Sequence, residues 1–435
     1  MAARICLVTT GQPASNPRLV KEADALVGAG YDVHVVAAYS ADWATDADRE
    51  LVGSRPWSQT FVDWRLESAP WVFWASRIRH RAARFAAPWL ATSAAADAAV
   101  ARIGPELRRA ARGVPADLYI AHNLGALPAA WRAARRHRAR LGFDAEDYHA
   151  GQLPKPDRMR PVVERVERRY LPACDAVTAS SPGIADAYAP WCRHGAPRCV
   201  LNVFPKHGRP AAARPAPTSD PVTLYWFSQV IGPDRGLEDA VRAMGLLPAN
   251  AAVLHLRGDC WPGYDDVLRR LAAQGGLAPG QLVFHPLAPP ADMVSLAAAC
   301  DIGLALEPGG TENSDLALGN KVFTYLLGGS AIVTTRTSAH RWFLGQVPGA
   351  ALGYDAGDVP ALHAILRRWI DRRDELTVAK RAAWSYGDRR FNWETEQQAF
   401  LEVVRTTLDG TAAAAAARRR VRPANAPSSG MASAG

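Results

Sequence analysis

The sequence predicts an α/β protein built from two doubly wound, Rossmann-like halves that face each other across a cleft. Three observations predict it. Short apolar runs alternate with helix-spaced segments over most of the 435 residues, the pattern of a parallel sheet covered by helices on both faces. A stretch rich in Pro, Ala and Arg at 205–221, without any apolar period, interrupts that alternation and has the composition of a linker or hinge. Beyond it the alternation restarts. The length itself allows two or three domains.

The elements follow in order. Arg4–Val8 is a strand, Asn16–Gly30 a helix, and Tyr31–Ala37 a second strand. Further strands fall at Asp117–Ile120, Arg140–Phe143 and Ala176–Thr178. After the linker, strands at 222–227, 252–256, 282–285, 302–306 and 331–334 alternate with helices at 236–247, 264–273, 292–299 and 320–327. Residues 391–408 form a long closing helix, and the Ala, Arg and Pro/Ser/Gly runs of 411–435 read as a disordered tail. The expected domains are therefore 1–204 and 222–390, with 391–410 packing back on the first.

Composition narrows the function classes. Apolar residues make up 49% and charged residues 21%, values of a globular protein. The net charge is +9, and four of those charges are Arg418, Arg419, Arg420 and Arg422 in an acid-free tail. This modest field suits an anionic ligand, an anionic membrane or nucleic acid. No basic-aromatic module outside the tail supports nucleic acid. The six cysteines include no CxxC pair, which argues against zinc and points to a reducing cytoplasm. No run approaches the length of a membrane-spanning helix.

In open parallel sheets, ligands bind beyond the carboxyl ends of the strands. Two strand-to-helix connections in the second half are basic. Ser228-Gln229-Val230-Ile231-Gly232-Pro233-Asp234-Arg235-Gly236 ends at a helix mouth beside Arg235. In Leu318-Gly319-Asn320-Lys321, Asn320 is placed to cap a helix and Lys321 sits in its first turn. A lysine there opposes the helix dipole, which an anion held at the same helix end would relieve. Either loop alone is also what an ordinary surface gives, but two of them in one half point to a diphosphate.

These residues resemble the donor domain of family 4-like GT-B glycosyltransferases. That family usually reads Gly-Arg…Lys-Gly where this chain has Ser228-Gln229…Arg235-Gly236, and Asn-Lys-x-Phe-Glu-Tyr where it has Asn320-Lys321-Val322-Phe323-Thr324-Tyr325. Pro13 to Arg18, Ala121 to Pro128, Phe143 to Asp147 and the segment around Trp393-Glu394 resemble the rest of the family, so that the likeness covers residues 4–408. It implies a retaining transfer of a sugar from a UDP- or GDP-linked donor to a hydroxyl, with no metal. The acceptor it implies is a glycan or lipid-linked glycan of bacterial envelope type, worked on at the inner face of the plasma membrane. By the same resemblance Arg235 and Lys321 grip the diphosphate, with Ser228, Gln229, Gly236, Asn320 and Thr324 around the donor. His122, Glu312 and Asn313 face the sugar, and Ser15, Asn16, Arg18, Asp144 and Glu146 lie on the acceptor side. Two departures stand out. Gln229 replaces an arginine, and Thr324 replaces a glutamate that holds the ribose and cannot match its bidentate contact. They keep open a catalytically silent partner subunit, and a sugar-nucleotide epimerase of the same fold is a third reading.

Other signals weigh less. Gly28-Ala29-Gly30 ends a helix and lacks the third glycine of a dinucleotide fingerprint. Asp46-Ala47-Asp48 reads as solvated surface rather than a metal site. Asp144, Glu146 and His149 fit an acid/base group or a satisfied loop equally well. Within 71–90, Trp74, Ile78, Ala82 and Phe85 share one helical face and Arg77, Arg81 and Arg84 another. Packing on the first-half sheet is the favoured reading, and peripheral contact with an anionic membrane is the alternative.

Overall fold

The computed structural model describes residues 2–39, 43–90, 92–218 and 221–420, with side chains left undescribed at 43, 44, 52 and 411–420. The first half holds seven parallel strands: β1 (Arg4–Thr9), β2 (Asp32–Tyr39), β3 (Ser58–Asp63), β4 (Leu118–His122), β5 (Arg140–Ala145), β6 (Ala176–Ala179) and β7 (Arg198–Cys199). Their order is β3-β2-β1-β4-β5-β6-β7. The second half holds six: β8 (Val222–Ile231), β9 (Ala252–Cys260), β10 (Leu282–His285), β11 (Ile302–Ala305), β12 (Ala331–Thr335) and β13 (Ala351–Tyr354). These are ordered β10-β9-β8-β11-β12-β13. All the pairings are parallel, so each sheet is two Rossmann-type wings that diverge from a central strand pair.

The central strands are apolar on both faces because helices cover both. In β1, Ile5 and Leu7 join one buried cluster while Cys6 and Val8 join another on the opposite face, as the two-residue period of a strand requires. The cluster containing Ile5 and Leu7 continues through Val200 and Val203 to Tyr225, Phe227 and Phe323 of the second half, so the halves share apolar packing.

Three strands went unanticipated. In β3, Ser58-Gln59-Thr60 lacks an apolar run because it is a half-exposed edge. Two-residue β7 and the short β13 are equally weak signals. The expected loop from Ser228 is partly strand, because β8 continues to Ile231 through a bulge between Phe227 and Val230. Gly258 permits it: a Cβ there would lie 2.4 Å from the Ser228 carbonyl oxygen.

Residues 205–218 carry no regular element apart from turns, and half of them are exposed, yet particular side chains tie them to the second half. Arg209 bonds Asp388 at 2.8 Å and stacks on Trp384 at 3.9 Å, and Trp384 donates to the Pro210 carbonyl at 3.0 Å. The last helix, Trp393–Arg420, crosses back to the first half, where Glu396 accepts from Leu201 N at 2.8 Å and Phe400 and Val404 line a crevice with Leu118 and Ile120. It runs ten residues past 410, where a disordered tail was expected. The alanine run 412–417 accounts for this, alanine being the strongest helix former. The rest of that tail, 421–435, lies outside the described residues. No helix among those described is long and apolar enough to cross a membrane.

Candidate functional site

The carboxyl ends of β1, β4, β5, β8 and β9 meet at a cleft of about 650 Å³ between the halves. From the second half, Ser228, Gln229, Arg235, Arg257, Asn320 and Lys321 line it; from the first, Ser15, Asn16, Arg18, Lys21, Asn123 and Glu146. The structure thus brings together Arg235, Lys321, Ser228, Gln229 and Asn320 of the expected donor side with Ser15, Asn16, Arg18 and Glu146 of the expected acceptor side.

Each donor-side group has a local cause. Gly236 begins the helix Leu237–Gly245 with φ +72°, and a Cβ there would sit 2.3 Å from the Leu306 carbonyl oxygen. The helix mouth therefore rests directly on the chain leaving β11, which leaves Arg235 at the cleft wall, with no ion pair among the described residues. The helix Asn320–Gly328 starts where expected, but Asn320 is its first residue rather than its cap: Gly319 is the N-cap, and no side chain caps it. Its first N–H groups lack a side-chain acceptor and open on the cleft, an arrangement suited to an anion. Lys321 is 8% exposed, bonds the Glu307 carboxylate and lies 5.2 Å from the Trp226 ring. Burial alone would raise the Glu307 pKa, but Lys321 outweighs it and holds it below the ordinary value.

Sequence reasoning missed Glu307, Arg257 and Lys21. Arg257 donates to Tyr225 Oη at 3.2 Å and to the Pro286 carbonyl at 2.8 Å, which fixes its guanidinium at the cleft. Its signal was its place in Ala252–Cys260, where His255 and Arg257 alternate with apolar residues. Lys21 donates to Asn202 Oδ1 at 3.2 Å and to the Val203 carbonyl. Burial, reinforced by Arg18, lowers its pKa to about 7. Glu146, 3.4 Å from Asn16 Nδ2, is pushed up to about 7 by burial and by Asp144.

Five expected residues lie elsewhere. His122, expected to face the sugar, is fully buried behind the cleft floor, 3.3 Å from Glu22 Oε2 and 3.5 Å from Asp144 Oδ2. Asp144 is buried too, accepting two bonds of 2.7 Å from Arg18 and one of 2.6 Å from Thr178. Burial would raise its pKa, but Arg18 holds it down. Glu22 is raised, by burial and then by Asp144; His122 is raised because Glu22 overcomes burial. Thr324 is fully buried, donates to its own helix at the Asn320 carbonyl, 3.1 Å away, and is not among the residues lining the cleft. Glu312 pairs with Lys155 and Arg160, and Asn313 bonds Tyr148 N at 2.7 Å and Asp147 Oδ1 at 2.9 Å. Those two residues join the halves instead of lining the cleft, because the first half presents them with complementary charge and hydrogen-bonding groups.

Among the described residues one group has metal-ligand proximity, Glu22, His122 and Asp144. Arg18 lies beside its two carboxylates, 2.7 Å from Asp144 and 3.3 Å from Glu22, so a cationic side chain already serves them. Asp48, read as solvated, is buried and accepts 2.6 and 2.7 Å bonds from Gln12 Nε2 and Ala14 N; Asp46 is on the surface.

No protein-family model matches the sequence, nor does any curated protein. Solved structures do. HepE of Anabaena, in complex with UDP, is 16% identical with a TM-score of 0.65 over 93% of this chain and 100% of its own. Sucrose-phosphate synthase from Thermosynechococcus elongatus is 14% identical, with a TM-score of 0.66 over 94% of this chain and all of that one. A glycosyltransferase from Rickettsia africae is 11% identical, with a TM-score of 0.65 over 94% and 98%. The chain has the GT-B fold. In that fold the two sheets present their carboxyl ends to a shared cleft, which is where Arg235, Arg257 and Lys321 converge.

Proposed function

We propose that the chain is a glycosyltransferase that takes a sugar from a UDP- or GDP-linked donor and passes it to an acceptor hydroxyl. The observation that carries this is the set Arg235, Arg257, Lys321 and an uncapped helix N-terminus on one wall of the cleft. Cations and N–H dipoles aimed at one point stabilise charge that grows on a departing diphosphate. HepE has been crystallised with UDP and with UDP-glucose, which supports the same ligand class.

Glu307 holds Lys321 in place in the absence of ligand. As the bond between sugar and diphosphate breaks, negative charge accumulates on the leaving oxygen beside Lys321 and Arg235. The sugar gains oxocarbenium character. In a retaining transfer the acceptor hydroxyl attacks the face the diphosphate leaves, and its proton passes to the departing phosphate oxygen. No protein nucleophile is needed, in keeping with a burial of His122 and Asp144 that removes them from the reacting atoms. Leu287, Ala288 and Pro290 form an apolar wall of the cleft against which a nucleobase can lie.

A silent subunit is the second reading, favoured by the core position of Thr324, which leaves no carboxylate there for the ribose. Incubation with UDP- and GDP-sugars and a panel of glycan and lipid-linked acceptors decides between them. Acceptor-dependent release of nucleoside diphosphate, with the anomeric configuration of the product kept by NMR, supports the proposal. Acceptor-independent appearance of an epimerised sugar identifies an epimerase instead, and no turnover together with no nucleotide binding identifies the silent subunit.

A further inference from the structure

The helix Pro70–Ala86 inverts the usual arrangement of an amphipathic helix on a globular protein, which buries its apolar stripe. Only Ser76 of its seventeen residues is buried. At 3.6 residues per turn, Trp71, Trp74, Ile78, Ala82 and Phe85 share one stripe, on the side opposite Ser76, His80 and Ala83. That stripe faces solvent: Trp71 is 86%, Ile78 67% and Phe85 81% exposed, and Trp89 just beyond is 73% exposed. Among the described residues, seven of the thirteen exposed large apolar side chains fall between 66 and 90, which makes this a concentrated patch rather than the usual scatter.

Polar links hold the helix instead. Arg102 donates to the Phe73 carbonyl at 2.8 Å and to Ser76 Oγ at 3.1 Å, Arg79 pairs with Glu106 at 2.7 Å, and His80 lies 3.1 Å from the Ala98 carbonyl oxygen. The packing that the sequence favoured for the Trp74 face is therefore not what occurs. Charge identifies what covers it. Residues 68–96 contain no Asp or Glu, and Arg77, Arg81 and Arg84 flank the stripe along one side. Interfacial tryptophans beside arginines match the boundary of an anionic bilayer.

The patch also leads inward. A cavity lined by Phe85, Trp89, Arg84 and Met159 shares the last two with a second, of about 470 Å³, that reaches His80 and Asn123. Asn123 lines the donor cleft as well.

We propose that the Trp71–Phe85 face of this helix docks on an anionic lipid bilayer, and that a membrane-borne acceptor reaches the cleft through the cavity beside Arg84 and His80. The acceptor half of this rests on the glycosyltransferase reading; the docking half does not.

Co-sedimentation of the full chain with vesicles of phosphatidylcholine, alone or mixed with phosphatidylglycerol, tests it. Binding that requires phosphatidylglycerol and weakens with salt is expected. The triple change Arg77→Gln, Arg81→Gln, Arg84→Gln should reduce partitioning about a hundredfold, at about 1 kcal/mol per arginine near the surface. Trp71→Ala with Trp74→Ala should also reduce it, while Leu246→Ala, an exposed apolar residue outside the patch, should not. All these positions are on the surface, so melting temperature and nucleotide binding should stay at wild-type values, which separates failure of docking from failure of the donor site. Absent binding, or binding indifferent to lipid charge and to both variants, overturns the proposal. A dimer in sedimentation velocity that Trp74→Ala dissolves, without vesicle binding, assigns the face to a second copy of the chain.

Discussion

The carboxyl ends of the two sheets treat charge in opposite ways. In the first half, Arg18, Glu22, His122 and Asp144 cluster within ion-pair distance of one another, each 1% exposed or less, and of the four only Arg18 also lines the cleft. In the second half, Arg235 and Arg257 line the cleft and have no carboxylate partner among the described residues, while Lys321, 8% exposed, lines it paired with Glu307. A buried, mutually paired cluster specifies structure, whereas cations left at a cleft wall are available to a ligand. The lesson is that the same residue types at equivalent places in two similar sheets need not share a role, and that exposure and partners distinguish them.

That contrast can be broken from its structural side. Asp144→Ala leaves the buried Arg18 guanidinium without its main partner, and a loss of about 3–5 kcal/mol is expected in chemical denaturation. A stable Asp144→Ala variant that merely loses turnover would return Asp144 to the active centre. On the other side, Gly236→Ala places a methyl group against the Leu306 carbonyl at a left-handed φ. Roughly 2–3 kcal/mol of stability should be lost, with nucleotide binding weakened because the mouth beside Arg235 moves.

Glu146 sharpens the comparison, since it lines the cleft but feels the buried cluster. Its folded pKa is raised from 4.5 to about 7. The folded state is therefore favoured, as far as this group is concerned, below pH 4.5, and that advantage is lost as pH rises through about 7. Glu146→Gln should flatten the fall of melting temperature across this window, worth about 3 kcal/mol at most. An unchanged profile would mean that Glu146 is solvated in the folded protein. The smallest effect belongs to Thr324→Ser, whose hydroxyl bonds only its own helix. Nucleotide affinity should stay within about twofold and stability within about 1 kcal/mol; a larger affinity loss would place Thr324 at the ribose.

Much of this was legible in the sequence because it rests on local pattern. Apolar runs alternating with helical spacing give two parallel sheets, and the two basic strand-to-helix connections mark residues, Arg235 and Lys321, that do line one cleft. What was not legible depends on contacts far apart in sequence. The interior position of His122 arises from Glu22 and Asp144, which converge on it from the first helix and from β5. Glu307 is a single carboxylate in the loop after β11, just before Pro308-Gly309, and only folding brings it to Lys321 fourteen residues on. Motif matching also misplaced Thr324, because its resemblance to a ribose-binding position preserves spacing but not which side of the helix meets the core. The outward stripe at Trp71–Phe85 shows the same limit: periodicity marks an apolar face without saying what covers it.

The central claim is that the second-half cations hold a nucleoside diphosphate. Thermal unfolding with UDP, GDP and ADP, for the native chain and for Arg235→Ala, tests it most directly. A ligand at a hundred times its dissociation constant adds about 2.7 kcal/mol to the native state, a rise on the order of 5–10 °C for halves of this size. The account predicts that rise with UDP or GDP, and its loss in Arg235→Ala without a change in the ligand-free melting temperature. No rise with any nucleotide, or an equal rise in Arg235→Ala, would contradict it.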